Sequence, residues 1–480
     1  MSTLNKTVKW LVVMLLVWFL FAGVNPTAAL SPSLAIEDEK FPNGPPFETG
    51  RGYWPADAAI TANAGWTEVG AGSASSGGIS DNGGTSDAPS VAVAPDGTLY
   101  VAWQDSSSGY DEIYVLHWDG STWQEVGAGS ASDDGVSGNG AAANPSMAVA
   151  PDGTPYVAWK DAPLGSEIYV RRWNGSVWEE IGSGSASGNG ISDTGFAYGP
   201  SLDIAPDGTP YVAWYDGSDV DWEIYVRYWD GSAWEEVGFG SASGGGISDN
   251  AGDSSYPALI VDPIDPEPHP YVAWMDDSSG NNEIYIKRWD GNSWEELGTG
   301  SASGDGISDN AGDSRLPSLA VEPDDPEPHP YIAWMDDSSG DWEIYVLRWD
   351  GNSWEEVGLG SASGGGISDT NGRSDDPVIA VDPDDPEPHP YIAWMDDSSG
   401  NDESYVRQWD GSSWQEVGAG SATGGGVSDT GDTPAGGPSL AVGQDSTPYV
   451  AWPELQPGAD WEIYVRQAEC PDATIQSTGS

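Results

Sequence analysis

The chain has 480 residues, with 77 Asp and Glu against 15 Lys and Arg and a formal net charge of −62. Such a surface repels nucleic acid and anionic membranes and invites cations, whether bound metal, basic partners or the counterions of a salty medium. The single cysteine, Cys470, has no partner within the chain, so disulfides do not hold the fold.

Residues 1–29 have the form of a secretory signal: Lys6 and Lys9 supply the positive end, residues 10–24 the apolar run, and Thr27, Ala28 and Ala29 the small residues of a cleavage site. An apolar run of about 15 residues falls short of the roughly 20 that span a bilayer. Cleavage after Ala29 is therefore expected, the alternative being retention as an N-terminal anchor, and gives a secreted chain, extracellular or at the cell surface, with no membrane insertion once the signal is cleaved. Residues 30–62 are rich in proline (Pro32, Pro42, Pro45, Pro46, Pro55) and are assigned as a linker.

The first periodic element is Trp-Thr-Glu-Val-Gly at residues 66–70. After it a unit of about 60 residues recurs. Its first strand follows Pro89, Pro145, Pro200, Pro257, Pro317, Pro377 and Pro438, at spacings of 56, 55, 57, 60, 60 and 61 residues. A second strand ends at Trp103, Trp159, Trp214, Trp274, Trp334, Trp394 and Trp452. A third opens with Glu112, Glu167, Glu223, Glu283, Glu343, Glu403 and Glu462. The fourth, beginning at Trp123, Trp178, Trp234, Trp294, Trp354 and Trp414, is missing after Glu462, and its seventh copy is the stretch 66–70. A four-stranded unit cannot bury both faces alone and must stack on its copies. The displaced copy predicts an all-β, seven-bladed propeller over residues 63–467, closed by the N-terminal strand joining the last blade, with residues 468–480 as a tail.

Asp-Gly or Asn-Gly joins strands three and four (Asp119-Gly120, Asn174-Gly175 and onward), a strong hairpin signal compatible with a two- or four-residue loop. Four residues would set Trp289 opposite Trp294 and Arg288 opposite Glu295. The first turn is Pro-Asp-Gly-Thr early in the chain and Asp-Pro-Glu-Pro-His-Pro in three later units. There His269, His329 and His389 are expected as solvent-exposed turn residues.

The unit with Asp-Gly-x-x-Trp at its third hairpin, as in Asp350-Gly351-Asn352-Ser353-Trp354, resembles the Asp-box repeats of sialidase-like propellers. It departs from that pattern in the Gly that directly follows Asp and in having seven units rather than six. The resemblance implies a structural turn, not a catalytic one.

Chemistry is expected at the end carrying the loops between strands two and three and between blades. Each second strand places an acid two residues after its Trp, facing the Glu that opens strand three. Asp, Ser and Glu across a Gly-containing turn form an oxygen set of the kind Ca²⁺ prefers. Three sets are candidates: Asp276, Ser278 and Glu283; Asp336, Ser338 and Glu343; Asp396, Ser398 and Glu403. The alternative is that each Asp caps its own loop amides. Trp222, Trp342 and Trp461, beside acids at the loop exit, are candidate stacking platforms or extensions of the apolar face. Arg315 and Arg373 are the arginines of the blade-to-blade loops. Two arginines and many equivalent acids make a poor hydrolase. The sequence thus points to a monomeric, non-catalytic module binding an extracellular glycan or protein, with Ca²⁺ as its possible ion; the alternatives are a sialidase-like glycoside hydrolase or a passive scaffold adapted to high salt.

Overall fold

A computed structural model describes residues 65–468, apart from 139, 163–164, 265–266, 323–328, 383–388, 432 and 459. The signal and linker assigned to residues 1–62, and the tail beyond 468, lie outside the described residues. The described strands form seven four-stranded antiparallel sheets, numbered here as blades one to seven in the order of their first strands. Blade five is representative: Ser314–Val321, Pro330–Asp336, Glu343–Trp349 and Trp354–Glu356. Blade seven takes its fourth strand from the N-terminal side, Trp66–Glu68, with Trp66 opposite Ala468 and Glu68 opposite Arg466.

Alternation explains why the blades stack. Ile332, Trp334, Tyr345 and Leu347 of blade five pack against Tyr271, Ala273, Ile284 and Ile286 of blade four. A comparable apolar cluster fills every other interface around the ring. Trp334 is 1% exposed and meets Tyr345 edge to face at 5.9 Å. Truncating such a residue would cost about 3–5 kcal/mol.

Polar side chains stitch neighbouring blades where a strand edge would otherwise be open. At the outer edge each fourth-strand Trp donates its indole N–H to a carbonyl of the preceding blade, as Trp354 does to Leu297 at 2.9 Å. Trp66 does the same to Val417 at 2.6 Å, so the closing strand is bonded like the rest. At the inner edge, in the blades where a Ser follows the first-strand proline, it accepts an N–H from the next blade: Met147 to Ser90 at 3.0 Å, and Val91 to Ser439 at 3.0 Å across the closure. Third-strand cations complete the set, Arg171 reaching Val136 O at 2.6 Å and Lys287 reaching Ile247 O at 2.7 Å. Those carbonyls belong to the Ile/Val that pins each blade-to-blade loop, whose own N–H bonds the third strand (Ile247 to Ile224 O, 2.8 Å).

The third hairpin has the four-residue loop, with Trp289 opposite Trp294 and Arg288 opposite Glu295. In its turn Asp290 accepts the N–H groups of Asn292 and Ser293, both at 2.8 Å. Gly70, after the closing strand, has φ 82°, and a Cβ there would lie 2.2 Å from the Trp118 ring, so no other residue fits.

Two expectations need correction. In blades one to six the first strands begin before their proline, as where Ser314, Arg315 and Leu316 precede Pro317 and the pairing slips between Arg315 and Ser318. In blade seven the strand is Ser439–Val442 and starts after Pro438 as expected. Proline lacks an N–H, and a bulge is where a strand tolerates that loss. The histidines of the first turn are not simply solvated, because all three are half-buried. His329 has a side chain only 15% exposed, lying 3.7 Å from Glu322, which also binds Arg348 at 2.8 Å.

Candidate functional site at the axial mouth

Ser314 pairs with Asp336, so each first strand starts beside the loop between strands two and three. The bulges therefore open at the loop-rich end. There the residue before the proline in each blade, namely Ala88, Asn144, Gly199, Tyr256, Leu316, Asp376 and Gly437, lines a single cavity of about 450 Å³. One position from every blade meeting around one space places it on the axis.

The bulge holds these residues in an unfavourable backbone conformation. Ala88, Asn144, Tyr256, Leu316 and Asp376 have φ between 49° and 53°. For an L-residue other than Gly, Asn or Asp this region costs about 1–2 kcal/mol. Glycine would avoid the cost, yet Tyr256 and Leu316 stand there.

Chemically the mouth is uneven. On the side of blades three and four, Tyr256 stacks near Tyr215 (5.5 Å between centroids), Tyr215 on Tyr198 (5.8 Å), and Trp222 meets both at 5.4 and 5.5 Å. These four rings make a half-buried aromatic strip beside the axis. Lys160 of blade two covers Tyr198 at 5.6 Å. On the opposite side Asp87 and Asp376 line the cavity. Burial raises the Asp376 carboxyl above its usual range, with Arg373 opposing the shift and Asp87 adding to it.

The second-strand acids lie beside this mouth but face inward. Asp336 is fully buried and accepts Trp334 Nε1 at 3.0 Å, Asn310 Nδ2 at 2.6 Å, Ser314 Oγ at 2.8 Å, the Ser338 N–H at 2.9 Å and the Ser338 hydroxyl. Asp276 and Asp396 are held by the same pattern, Ser278 and Ser398 included. Five donors fill the roughly four lone-pair sites of a carboxylate. The facing Glu turns to the blade-to-blade loop: Glu343 accepts Ser368 Oγ at 2.5 Å, Glu403 accepts Ser428 Oγ at 2.5 Å, and Glu283 accepts the Ser308 hydroxyl. Burial pushes Glu283, Glu343 and Glu403 up to about 7. The proposed Ca²⁺ sets thus come together in space as capped turns, and among the described residues no group of three or more His, Cys, Asp and Glu is arranged to hold a metal ion.

The candidate tryptophans do not share a platform, since they belong to blades three, five and seven. Trp222 joins the aromatic strip over Gly217. Trp342 packs against the core between blades five and six and carries the Arg315 guanidinium 5.1 Å above its ring. Trp461 sits in the third strand opposite Leu455. Arg315 lies within a first strand rather than a loop and is bound to Asp313 at 2.6 Å; Arg373, one blade on, is bound to Asp375.

No known sequence family and no curated protein matches the chain. Solved structures are similar to the chain at low identity. A protein of unknown function from Dyadobacter fermentans is 12% identical, with a TM-score of 0.42, over 81% of this chain and 95% of its own. An α-L-arabinofuranosidase of Fusarium graminearum is 14% identical, with a TM-score of 0.42, over 68% and 91%. A polysaccharide lyase acting on ulvan is 13% identical, with a TM-score of 0.46, over 84% and 94%.

Proposed function

We propose that this is a secreted, non-catalytic glycan-binding propeller whose site is the axial mouth together with the aromatic strip of blades three and four. One observation carries the reading. The repeats are closely alike, with Pro-His-Pro-Tyr-Ile-Ala-Trp-Met-Asp-Asp-Ser-Ser-Gly identical from Pro328 and from Pro388. Yet the two residues before the bulge proline differ in every blade: Asp-Ala, Ala-Asn, Tyr-Gly, Ser-Tyr, Arg-Leu, Asp-Asp and Gly-Gly. A purely structural ring has no need of seven solutions, nor of Tyr and Leu where Gly costs less. A concave mouth with a few convergent polar groups and an aromatic wall suits a sugar, which offers hydroxyls at its edge and C–H groups on its face.

Glycan-array binding of the full chain tests this. Tyr256→Ala and Trp222→Ala should each weaken capture of any glycan found by roughly tenfold or more, about 1.4 kcal/mol, while Trp342→Ala leaves it unchanged. Unaltered binding in the first two variants would sink the assignment. One observation favours a hydrolase instead, namely that Asp87 and Asp376 share the cavity. A hydrolase would release reducing ends from the captured glycan and stop doing so in Asp87→Asn.

A further inference from the structure

The seven interfaces between blades are built from the same parts, and the interface of blades six and seven lacks two of them. The residue after the Glu that opens each third strand is Ile113, Ile168, Ile224, Ile284, Ile344 or Ile463 in six blades, fully buried against the next blade. Ile344 there shares a cluster with Trp394, and Ile284 with Trp334. In blade six the residue is Ser404. Strand alternation turns it to the same face as Val406, which clusters with Trp452 and Tyr464 of blade seven. Ser404 is fully buried, and its hydroxyl has no hydrogen-bond partner among the described residues. Such a group gives up both the apolar contact of Ile and its own solvation. The facing aromatic pair also differs: Trp452 and Tyr464 stack with planes 20° apart, whereas the other six pairs cross at 71° to 83°.

The second missing part is the serine at the inner edge. Ser90, Ser146, Ser201, Ser318 and Ser439 each accept an N–H from the next blade at 2.9 to 3.1 Å, but blades four and six have Ala258 and Val378 at this place. Between blades four and five Ile284 still meets Trp334, so both losses coincide only between six and seven. The first strand of blade seven is also short, Ser439–Val442. The outer edge of this interface, by contrast, is intact: Trp66 donates to Val417 O at 2.6 Å, and Arg466 to Val427 O. An interface held outside and loose inside contains a pivot. We infer that blades six and seven part at the axis, turning about their outer edge, and that this seam is where the ring opens and widens the axial mouth. Asp376 of blade six and Gly437 of blade seven meet across it in the cavity wall, so close that a Cβ on Gly437 would lie 2.7 Å from Asp376 Oδ2. The opening does not depend on what the mouth binds.

Thiol labelling of the native full chain tests this, with Cys470→Ser as the background. Ser404→Cys places a probe of nearly the same size in the seam, and Ile344→Cys places one at the same position of blade five, with Ser318 in place. A small alkylating reagent should modify the first roughly tenfold faster or more, since local opening and not global unfolding sets the rate. Val378→Ser, which restores the inner bond, should slow labelling at position 404, and Ala258→Ser between blades four and five should not. A measurement without a label agrees if Ser404→Ile raises the melting temperature of the chain. Equal labelling in the two blades, or a rate at position 404 that ignores Val378→Ser or follows Ala258→Ser as strongly, would overturn the inference. So would a melting temperature lowered by Ser404→Ile, because the space would then be filled already.

Discussion

The second-strand acids and the residues before the bulge prolines are neighbours on the same strand pairs, and they have been treated oppositely. Asp105, Asp161, Asp216, Asp276, Asp336 and Asp396 occupy one position, all fully buried, and only blade seven departs, with Glu454 held by Trp452 at 3.3 Å. The axial residues, one strand inward, take six identities in seven blades, with only Gly199 and Gly437 alike. In a repeat protein built by copying, a position that stays the same in all copies answers to the stacking geometry every copy shares. A position that varies from copy to copy answers to something met once, by the whole ring. The axis is where such a thing can sit, because it alone is touched by every blade.

The ring itself is the first thing to break. Removing residues 30–70 takes away Trp66, 1% exposed, its bond to Val417, and the outer pairing of blade seven. The loss should exceed that of any single core truncation, about 3–5 kcal/mol for one large aromatic, and it should broaden the thermal transition as the open edge frays. An unchanged melting temperature would mean the closure is decorative. Next in size is Asp336→Ala. Trp334, Asn310, Ser314 and Ser338 would keep buried donors with no acceptor, at a cost of roughly 3 kcal/mol or more. Denaturant melts should show that loss while glycan capture per folded molecule is retained, which would separate the constant ring from the variable one.

Acidity gives a third, smaller test. Burial holds Glu223, Glu283, Glu343, Glu403, Glu454 and Glu462 at about 7, against an ordinary value of 4.5. The folded state binds protons that the unfolded state releases between those values. Their stabilisation is therefore complete below about pH 4.5 and is lost as pH rises through about 7. Exposed turn acids act in the opposite sense. Asp119, held down to about 2 by the Thr122 N–H and the Ser121 hydroxyl and N–H, loses its contribution as pH falls below 3.8. Melting temperature at high fixed salt, where general self-repulsion is screened, should peak near pH 4–5 and decline toward 8. A flat profile across that range would show that these glutamates are solvated.

Most of the fold was legible because its period was. The displaced copy at Trp66–Gly70 named both the blade count and the closure, and the hydrophobic alternation in each unit named three of the strands. Counting each first strand from its proline hid the bulge, and with it the residues that reach the axis. Asp376 reads in the sequence as the last residue of a loop, and only the left-handed backbone just before Pro377 turns it into the cavity wall. The useful signal was present: aligning the units on that proline and asking where they disagree picks out the axial dipeptides. The positions where they agree mark capped turns. The aromatic strip was half visible, through Trp222; Tyr198 and Tyr215 are cross-strand partners within blade three, and Tyr256 joins them only when blade four stacks against it.

The smallest effect should come from the ion pair that crosses the third hairpin. Arg172 and Glu179 are 3.0 Å apart, with side chains 41% and 35% exposed, a setting in which double-mutant cycles give less than about 1 kcal/mol. The molecule already contains the control. Blade six has Gln408 opposite Gln415, and blade one has His117 opposite Gln124, with no opposite charges in either, yet both keep the register that sets Trp409 against Trp414 and Trp118 against Trp123. What these hairpins share is the tilted tryptophan pair, 5.8 Å between centroids in both blades, and the Asp or Asn that ties the turn. Arg172→Gln with Glu179→Gln should accordingly leave the melting temperature within a degree or two, and adding salt to the wild type should change it no more than that through this pair. Trp178→Ala in the same hairpin would cost far more, since it also removes the indole bond to Val126 at 2.9 Å that joins blade two to blade one. If the charge-free double variant were the more damaging of the two, the hairpin's register would rest on electrostatics after all, and the reading of constant positions as packing would fail at the place where it is easiest to check.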